Sequence, residues 1–336
     1  MITIDGSIGY GQILRTTIAL SAVTLKPVKI TNIRKNRPNP GLQAQHLTGV
    51  KIAGEFTNAE IKGLKLHSTE IEFIPKSHNI VSRKIDIGTA GSIGLLLQTL
   101  TPLLIFADKD VTLDIIGGTA GLGAPTIQYM QHVTFPVLSK LGVPLPEIEI
   151  IREGFYPKGQ GQVRITFHAE EKLKPVKLLG RGKINSINGV SVVGSLPEDI
   201  AKRQANSAKK TLVEHGYPDA QIEKRVVNTA SPGTSITLWA DCENSILGAD
   251  TIGERGKPAE KVGEEVALEL IKSLRSDTVL DKWMSDQIIP FLALAKGGSE
   301  VKVEEITEHC GTNMIVTQMI LKMKFDIDEN NKIIRM

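Results

Sequence analysis

Ile80-Val-Ser-Arg-Lys-Ile-Asp-Ile-Gly88-Thr-Ala-Gly91-Ser92-Ile-Gly-Leu-Leu-Leu-Gln98-Thr-Leu-Thr-Pro102-Leu-Leu-Ile-Phe106 is the stretch that decides the fold. Its first part, Ile80–Ile87, is β-branched and suits a strand. A glycine turn, Gly88 to Ser92, follows. The segment Gly91–Phe106 is then apolar almost all round, which predicts a helix buried on every side. Working outward, the same order of strand, Gly-rich turn and helix recurs on both flanks. Upstream, Ile2–Ile4 leads through Gly6, Gly9 and Gly11 to a helix over Gln12–Val23. Downstream, Val111–Ile116 leads through Gly117-Gly118-Thr-Ala-Gly121-Leu-Gly123 to a helix with Pro125 at its first position. That helix places Ile127, Met130, Val137, Leu138 and Leu141 on one stripe. Further strands are expected at Val28–Ile33, Ile71–Ile74, Ile148–Ile151 and Val163–Phe167, and a helix at Gln43–Ala53. The expected class is α+β with α/β-like alternation, built from a repeated supersecondary unit whose sheets are covered by helices.

A new unit starts near Gly182. Ile184–Val193 is strand-like, and Ser195-Leu-Pro-Glu198 fits a capping box with proline inside it. The helix after it sets Ala201, Ala205, Ala208 and Leu212 at helical spacing, with Lys202, Arg203, Lys209 and Lys210 on its other faces. Strands at Ile222–Val227 and Thr234–Cys242 and a helix at Val262–Leu274 complete it. From Thr278 the apolar helix and strand patterns resume. The simplest organisation is a large domain, 1–179 and 278–336, interrupted by a smaller insert, 180–277.

The 336 residues are 41% hydrophobic, as in a globular chain, and 40 basic residues nearly balance 37 acidic ones, for a net charge of +3. That balance permits nucleic-acid binding without arguing for it. No apolar run reaches the ~18 residues of a membrane span, so no membrane partner is expected. Met1-Ile-Thr-Ile-Asp5 lacks the marks of a secretory signal, and two cysteines, Cys242 and Cys310, cannot form a disulfide framework or a four-cysteine zinc site. A cytoplasmic location follows as the expectation. Gly6-Ser-Ile-Gly9-Tyr-Gly11 fits neither the dinucleotide fingerprint nor the phosphate loop. Such turns usually serve tight geometry; three of them, with Lys158, also suit anion binding by backbone N–H groups. None of the seven histidines forms an i, i+4 metal pair. Arg34-Lys-Asn-Arg37-Pro-Asn-Pro40 is either a solvated turn or a phosphate clamp.

Seven segments, in order, together resemble the RNA 3′-terminal phosphate cyclase family. They are Ile4-Asp-Gly-Ser7 with Gly11-Gln12-Ile-Leu-Arg15-Thr16; Ile33-Arg34 with Arg37-Pro-Asn-Pro-Gly-Leu-Gln-Ala-Gln45-His46-Leu47; Gly88-Thr-Ala-Gly-Ser92 with Gln98-Thr99; Gly117-Gly-Thr119 with Ala124-Pro125; Gly154-Phe-Tyr-Pro-Lys158-Gly159; Ser285-Asp286-Gln287; and Glu308-His309 with Thr312-Asn313. The resemblance spans essentially the whole chain. It implies a large domain of three βαβαββ-type units and a smaller α+β insert. It also implies an ATP-dependent enzyme that turns an RNA 3′-phosphate into a 2′,3′-cyclic phosphodiester, with a divalent metal (Mg2+ or Mn2+) assisting. By its place in the motif, His309 matches the nucleophile that is adenylylated. Arg15, Arg34, Arg37 and Gln45 match positions near the nucleotide or the RNA terminal phosphate. Gln98, Pro125, Trp283, Asp286 and Gln287 match positions around ATP. The partner implied is RNA with a 3′-phosphate end, and a homo-oligomer stays open.

The sequence departs from the family pattern in four places. The first turn, Gly9-Tyr10-Gly11-Gln12, is two residues shorter than usual and lacks a glutamate expected near the metal, so the metal ligands are unassigned. Gln160 stands where glycine is typical, Trp283 where tyrosine is usual, and Cys310-Gly311 follow the histidine. The competing expectations are a non-catalytic RNA-binding or ribosome-assembly protein on the same scaffold, and an unrelated small-molecule transferase. Retention of His309 favours the enzyme, and a metal-hungry one is expected.

Overall fold

The structure is a computed structural model that describes residues 1–9, 11–169 and 173–336. Tyr10, and with it the metal argument at the shortened turn, lies outside the described residues.

Three four-stranded sheets share one topology. In the first, Ile2–Asp5 pairs parallel with Val28–Thr31, which pairs antiparallel with Ile71–Ile74, and that strand with Glu60–Lys62. In the second, Arg83–Asp86 runs parallel to Val111–Gly117, followed by antiparallel Gly161–Phe167 and Glu147–Arg152. In the third, Lys177–Leu178 runs parallel to Glu300–Lys302, followed by antiparallel Ile333–Arg335 and Asp326–Asp328. Each unit is therefore strand, helix, parallel strand, helix, hairpin. A parallel pair needs a crossover, and a helix supplies it; the closing pair is antiparallel and needs only a turn.

The fourth sheet orders Gln221–Val227, Ile184–Gly194, Gly233–Cys242 and Ile246–Ile252. The helices Glu198–Glu214 and Ala259–Arg275 pack on it. Leu212, Ile236, Leu238, Leu247, Val266 and Leu270 form a core of their own. This α+β unit enters the chain after the first strand of the third repeat and before that repeat's first helices, Lys282–Gln287 and Ile289–Leu294. It meets the second repeat where the His132 and Trp239 rings stack 3.9 Å apart.

The helix Gly11–Thr24 is the hub of the repeats. It packs against Ala44–Phe56, Ile93–Leu104 and Glu308–Leu321. Burial on several sides explains why its apolar residues do not form one stripe. Side-chain caps fix the helix starts that matter for the site. Ser92 Oγ accepts from the Leu95 N–H at 3.1 Å, Thr126 Oγ1 from the Tyr129 N–H at 3.0 Å, and Thr307 Oγ1 from the Cys310 N–H at 3.0 Å. Among the described residues no helix is long and apolar enough to cross a membrane.

Several local expectations change. Pro125 is not the first helical residue: Thr126 caps the helix, and Pro125 lies one residue before the cap. The expected single helix after it is three pieces, Ile127–Tyr129, a π-turn over Met130–Thr134, and Phe135–Ser139. Pro136 has no N–H to continue the ladder, and the Phe135 N–H reaches back to the Met130 carbonyl. Ser195 makes no capping box. Its hydroxyl donates to the Thr229 carbonyl and accepts from the Thr229 N–H, both at 2.9 Å, and Pro197 takes the cap position without a side-chain bond. Only Arg83–Asp86 of the expected Ile80–Ile87 strand is paired.

Candidate active site

One cavity of about 190 Å³ is lined by His309, Arg15, Gln98, Pro125, Trp283, Asp286 and Gln287. Gln12, Tyr129, Asp250, Thr251 and Ile252 also reach it. The first repeat thus supplies Gln12 and Arg15 from the start of its hub helix. The second supplies Gln98 and the loop before Thr126. The third supplies Trp283 to Gln287 and His309. The fourth sheet closes one wall with the end of Ile246–Ile252.

His309 is the second residue of the helix Glu308–Leu321. The Thr307 hydroxyl donates to Asp286 Oδ1 at 2.5 Å while its oxygen caps that helix. Asn313 Nδ2 donates to the Asp286 carbonyl at 2.7 Å, and Thr16 Oγ1 donates to Asn313 Oδ1 at 2.7 Å. The histidine helix, the Asp286 helix and the hub helix are therefore locked together at their cavity ends. Burial lowers the His309 pKa, and the charges of Arg15 and Arg37 lower it further against the opposing pull of Glu308. The neutral imidazole is therefore the favoured state. Burial pushes the Asp286 carboxyl up to about 7, despite the Thr307 hydrogen bond.

A second histidine, part of a family-like segment but given no role there, lies near Arg15. His46 is buried, and burial with the charges of Arg15 and Arg34 holds its pKa down at about 3. Its Nδ1 accepts from the Gln43 N–H at 3.2 Å. Gly11 lets the ring sit close, since a Cβ there would come within 2.7 Å of His46 Nε2. Arg15 has no hydrogen-bond or ion-pair partner among the described residues, and burial lowers its pKa to about 10. A guanidinium so placed is a ready site for an anion.

Arg34, Arg37 and Gln45 do not line the main cavity. Arg34 donates to the Asn39 and Gly41 carbonyls at 2.7 and 2.9 Å and lines a smaller recess with Gly6 to Gly9, Lys35, Asn36 and Glu308, the neighbour of His309. Gln45 Oε1 accepts from the Ser92 N–H at 2.9 Å, binding the Gly88–Ser92 turn. Arg37 acts on His309 through its charge.

Asp281 ties the cavity walls to one another. Its Oδ1 accepts from the Trp283 and Met284 N–H groups, both at 3.0 Å, and from the Tyr129 hydroxyl at 2.7 Å. Its Oδ2 accepts from the Gly248 N–H at 2.9 Å. One buried carboxylate thus joins the second repeat, the third repeat and the fourth sheet. Gly248 lets the second repeat pack close to the fourth sheet, as a Cβ there would lie 2.4 Å from Val133 Cγ2 and 3.0 Å from Tyr129 Cε2. Asp250 Oδ2 accepts from the Thr126 N–H at 2.6 Å. Burial pushes the Asp281 and Asp250 carboxyls each up to about 6. Asp250, Thr251, Ile252 and Tyr129 carry no local sequence signal for the site. They reach it by long-range packing, and only Tyr129, polar amid an apolar stripe, could have been singled out.

No group of three or more His, Cys, Asp or Glu side chains converges among the described residues. Asp286 and Asp250 are the carboxylates on the cavity. That donor set suits a cation held mainly by substrate phosphates with one or two carboxylates, as is usual for Mg2+, and does not form a protein cage.

A sequence model of RNA 3′-terminal phosphate cyclases matches residues 7–327. The chain belongs to that family. Proteins named RNA 3′-terminal phosphate cyclase are similar to it over nearly their full length. That of Archaeoglobus fulgidus is 44% identical, covering 99% of both chains. That of Thermococcus kodakarensis is 44% identical over 97% of this chain and 94% of its own. That of Ignicoccus hospitalis is 43% identical over 96% and 93%. The seven family-like segments are scattered from Ile4 to Asn313 in the sequence, and in space six of them contribute to this cavity, to the recess at Arg34 or to the Gly88–Ser92 turn.

Proposed function

We propose that the chain converts RNA 3′-terminal phosphates into 2′,3′-cyclic phosphodiesters at the expense of ATP, with His309 as the nucleophile. A ring nitrogen of His309 attacks the α-phosphorus of ATP; the bond to the bridging oxygen breaks and pyrophosphate leaves, giving a His309–AMP phosphoramidate. An oxygen of the RNA 3′-phosphate then attacks the same phosphorus and the P–N bond breaks. The RNA end now carries AMP in a phosphoanhydride. The neighbouring 2′-oxygen attacks the 3′-phosphorus, loses its proton, and AMP departs. The last step gains from intramolecularity, where effective molarities reach ~10⁵–10⁸ M.

The observation that supports this function is the lowered pKa of His309 beside the charge of Arg15, both on one cavity of about 190 Å³. Pro125 and Trp283 offer apolar surface for a base, with Gln98, Asp286 and Gln287 as polar contacts. Arg15, with Arg34, Arg37 and Gln45 beyond it, supports the terminal phosphate. A divalent cation, Mg2+ or Mn2+, would be held by Asp286 together with the nucleotide phosphates and would offset part of their charge. Residues 180–277 are then an insert that completes the nucleotide wall.

Incubation with α-labelled ATP and Mg2+, followed by denaturation and peptide mapping, tests this. Label on His309 is expected, and His309→Asn removes it while the protein still folds, since the ring borders an open cavity. An acid-labile AMP adduct retained by His309→Asn refutes the assignment.

A further inference from the structure

The Gly154–Gly161 loop is a sequence motif that the proposed chemistry leaves without a task. Its backbone is pinned on all sides. The Gly154 N–H donates to Thr119 Oγ1 at 3.0 Å, the Lys158 N–H to Ser231 Oγ at 3.0 Å, and the Gly159 N–H to the Phe155 carbonyl at 2.8 Å. Phe155 is buried with its ring over Gly194 and Gly233 of the fourth sheet. The next residue behaves in the opposite way. Tyr156 is 81% exposed, the most exposed aromatic side chain among the described residues. Lys158 and Arg152 are exposed beside it in sequence, and the loop itself contains no acid. Glu153 is buried and occupied by Thr119 and Gln128.

The loop also packs on the turn that precedes the helix carrying Gln98. A Cβ on Gly159 would lie 2.7 Å from Ala90 Cα, in the Gly88–Ser92 turn that Gln45 holds by its Ser92 N–H. A rigid exposed aromatic flanked by cations is the chemistry that binds single-stranded nucleic acid, since a base stacks on the ring and the backbone phosphates meet the cations.

We propose that Tyr156 is a stacking platform for a nucleobase of the RNA strand upstream of its 3′-phosphate, with Lys158 and Arg152 on the neighbouring backbone phosphates. This rests on the cyclase function and adds a specificity determinant to it. Tyr156 and Lys158 do not line the cavity that Arg15 and His309 share, so the loop engages the body of the strand and not its terminus.

The test compares dissociation constants of two fluorescent RNAs that end in a 3′-phosphate, one of ten nucleotides and one of two. Tyr156→Ala is expected to weaken binding of the ten-nucleotide strand about 5- to 150-fold, the loss that base–aromatic stacking carries. It leaves the two-nucleotide RNA unchanged. Tyr156→Phe keeps the ring and binds close to the parent. Lys158→Ala lowers the slope of log affinity against log salt by about 0.7. The proposal is overturned if the parent does not bind the ten-nucleotide strand, if Tyr156→Ala binds it as the parent does, or if both RNAs weaken equally. AMP labelling of His309 involves no RNA, so failure of the cyclase chemistry and failure of the platform are scored separately.

Discussion

Replacing Tyr129 by phenylalanine removes one oxygen from the junction that holds the cavity walls together. Asp281 Oδ1 loses its 2.7 Å partner and keeps the Trp283 and Met284 N–H groups at 3.0 Å; Oδ2 keeps the Gly248 N–H. The ring stays, so packing changes little. A hydrogen bond to a charged group contributes ~1.5–3 kcal/mol, and one to a neutral group ~0.5–1.5 kcal/mol. Which value applies depends on pH, because burial has raised the Asp281 pKa to about 6 and the tyrosine bond works against that rise. At pH 8 the carboxylate is charged in the folded parent, and the variant loses the larger amount. At pH 5 the folded carboxyl is mostly protonated in both proteins, and the loss falls to the smaller one. Urea unfolding at the two pH values is the measurement, with a destabilisation at pH 8 about 1 kcal/mol greater than at pH 5 expected. The ATP concentration for half-maximal AMP labelling should rise as well, because Trp283, Asp286 and Gln287 share the helix that Asp281 caps. Equal destabilisation at both pH values, or a more stable variant, would refute the assigned role of Asp281.

Two further perturbations follow from the same electrostatics. His46 has a folded pKa of about 3 against 6.5 unfolded, so the unfolded chain takes up a proton as pH falls below 6.5 and stability is lost on the acid side. Between pH 7 and pH 5 this group should cost about 2 kcal/mol, and His46→Gln should lose that much less in urea titrations over the same range; identical acid sensitivity in both proteins would exclude it. Arg15 is a cation depressed to about 10 with no partner, so Arg15→Met should unfold at higher urea by about 2 kcal/mol while AMP transfer to RNA disappears; a destabilised Arg15→Met would show that the guanidinium is compensated.

The sequence by itself determined the repeating unit and the class, and its resemblance to the cyclases named the family. Strand, glycine turn and helix alternate because each local segment has one preferred backbone form, and Gly88, Ser92 and the apolar run to Leu104 express it within twenty residues. The resemblance carried His309, Arg15, Gln98, Pro125, Trp283, Asp286 and Gln287, and the fold brings all seven to one cavity. Local reading failed where a side chain had a distant alternative. Ser195 bonds Thr229 and leaves its helix uncapped, and Pro136 turns an unbroken apolar stripe into a π-turn. Only the tertiary structure decided that Tyr129, Asp281 and Gly248 meet, that Asp250 and Ile252 close the cavity wall, and that the charge of Arg15 depresses both His46 and His309. Those residues lie in different units, up to 263 positions apart between His46 and His309. Burial and the charges of neighbours set their properties, and both are created by packing and have no trace in the order of the chain.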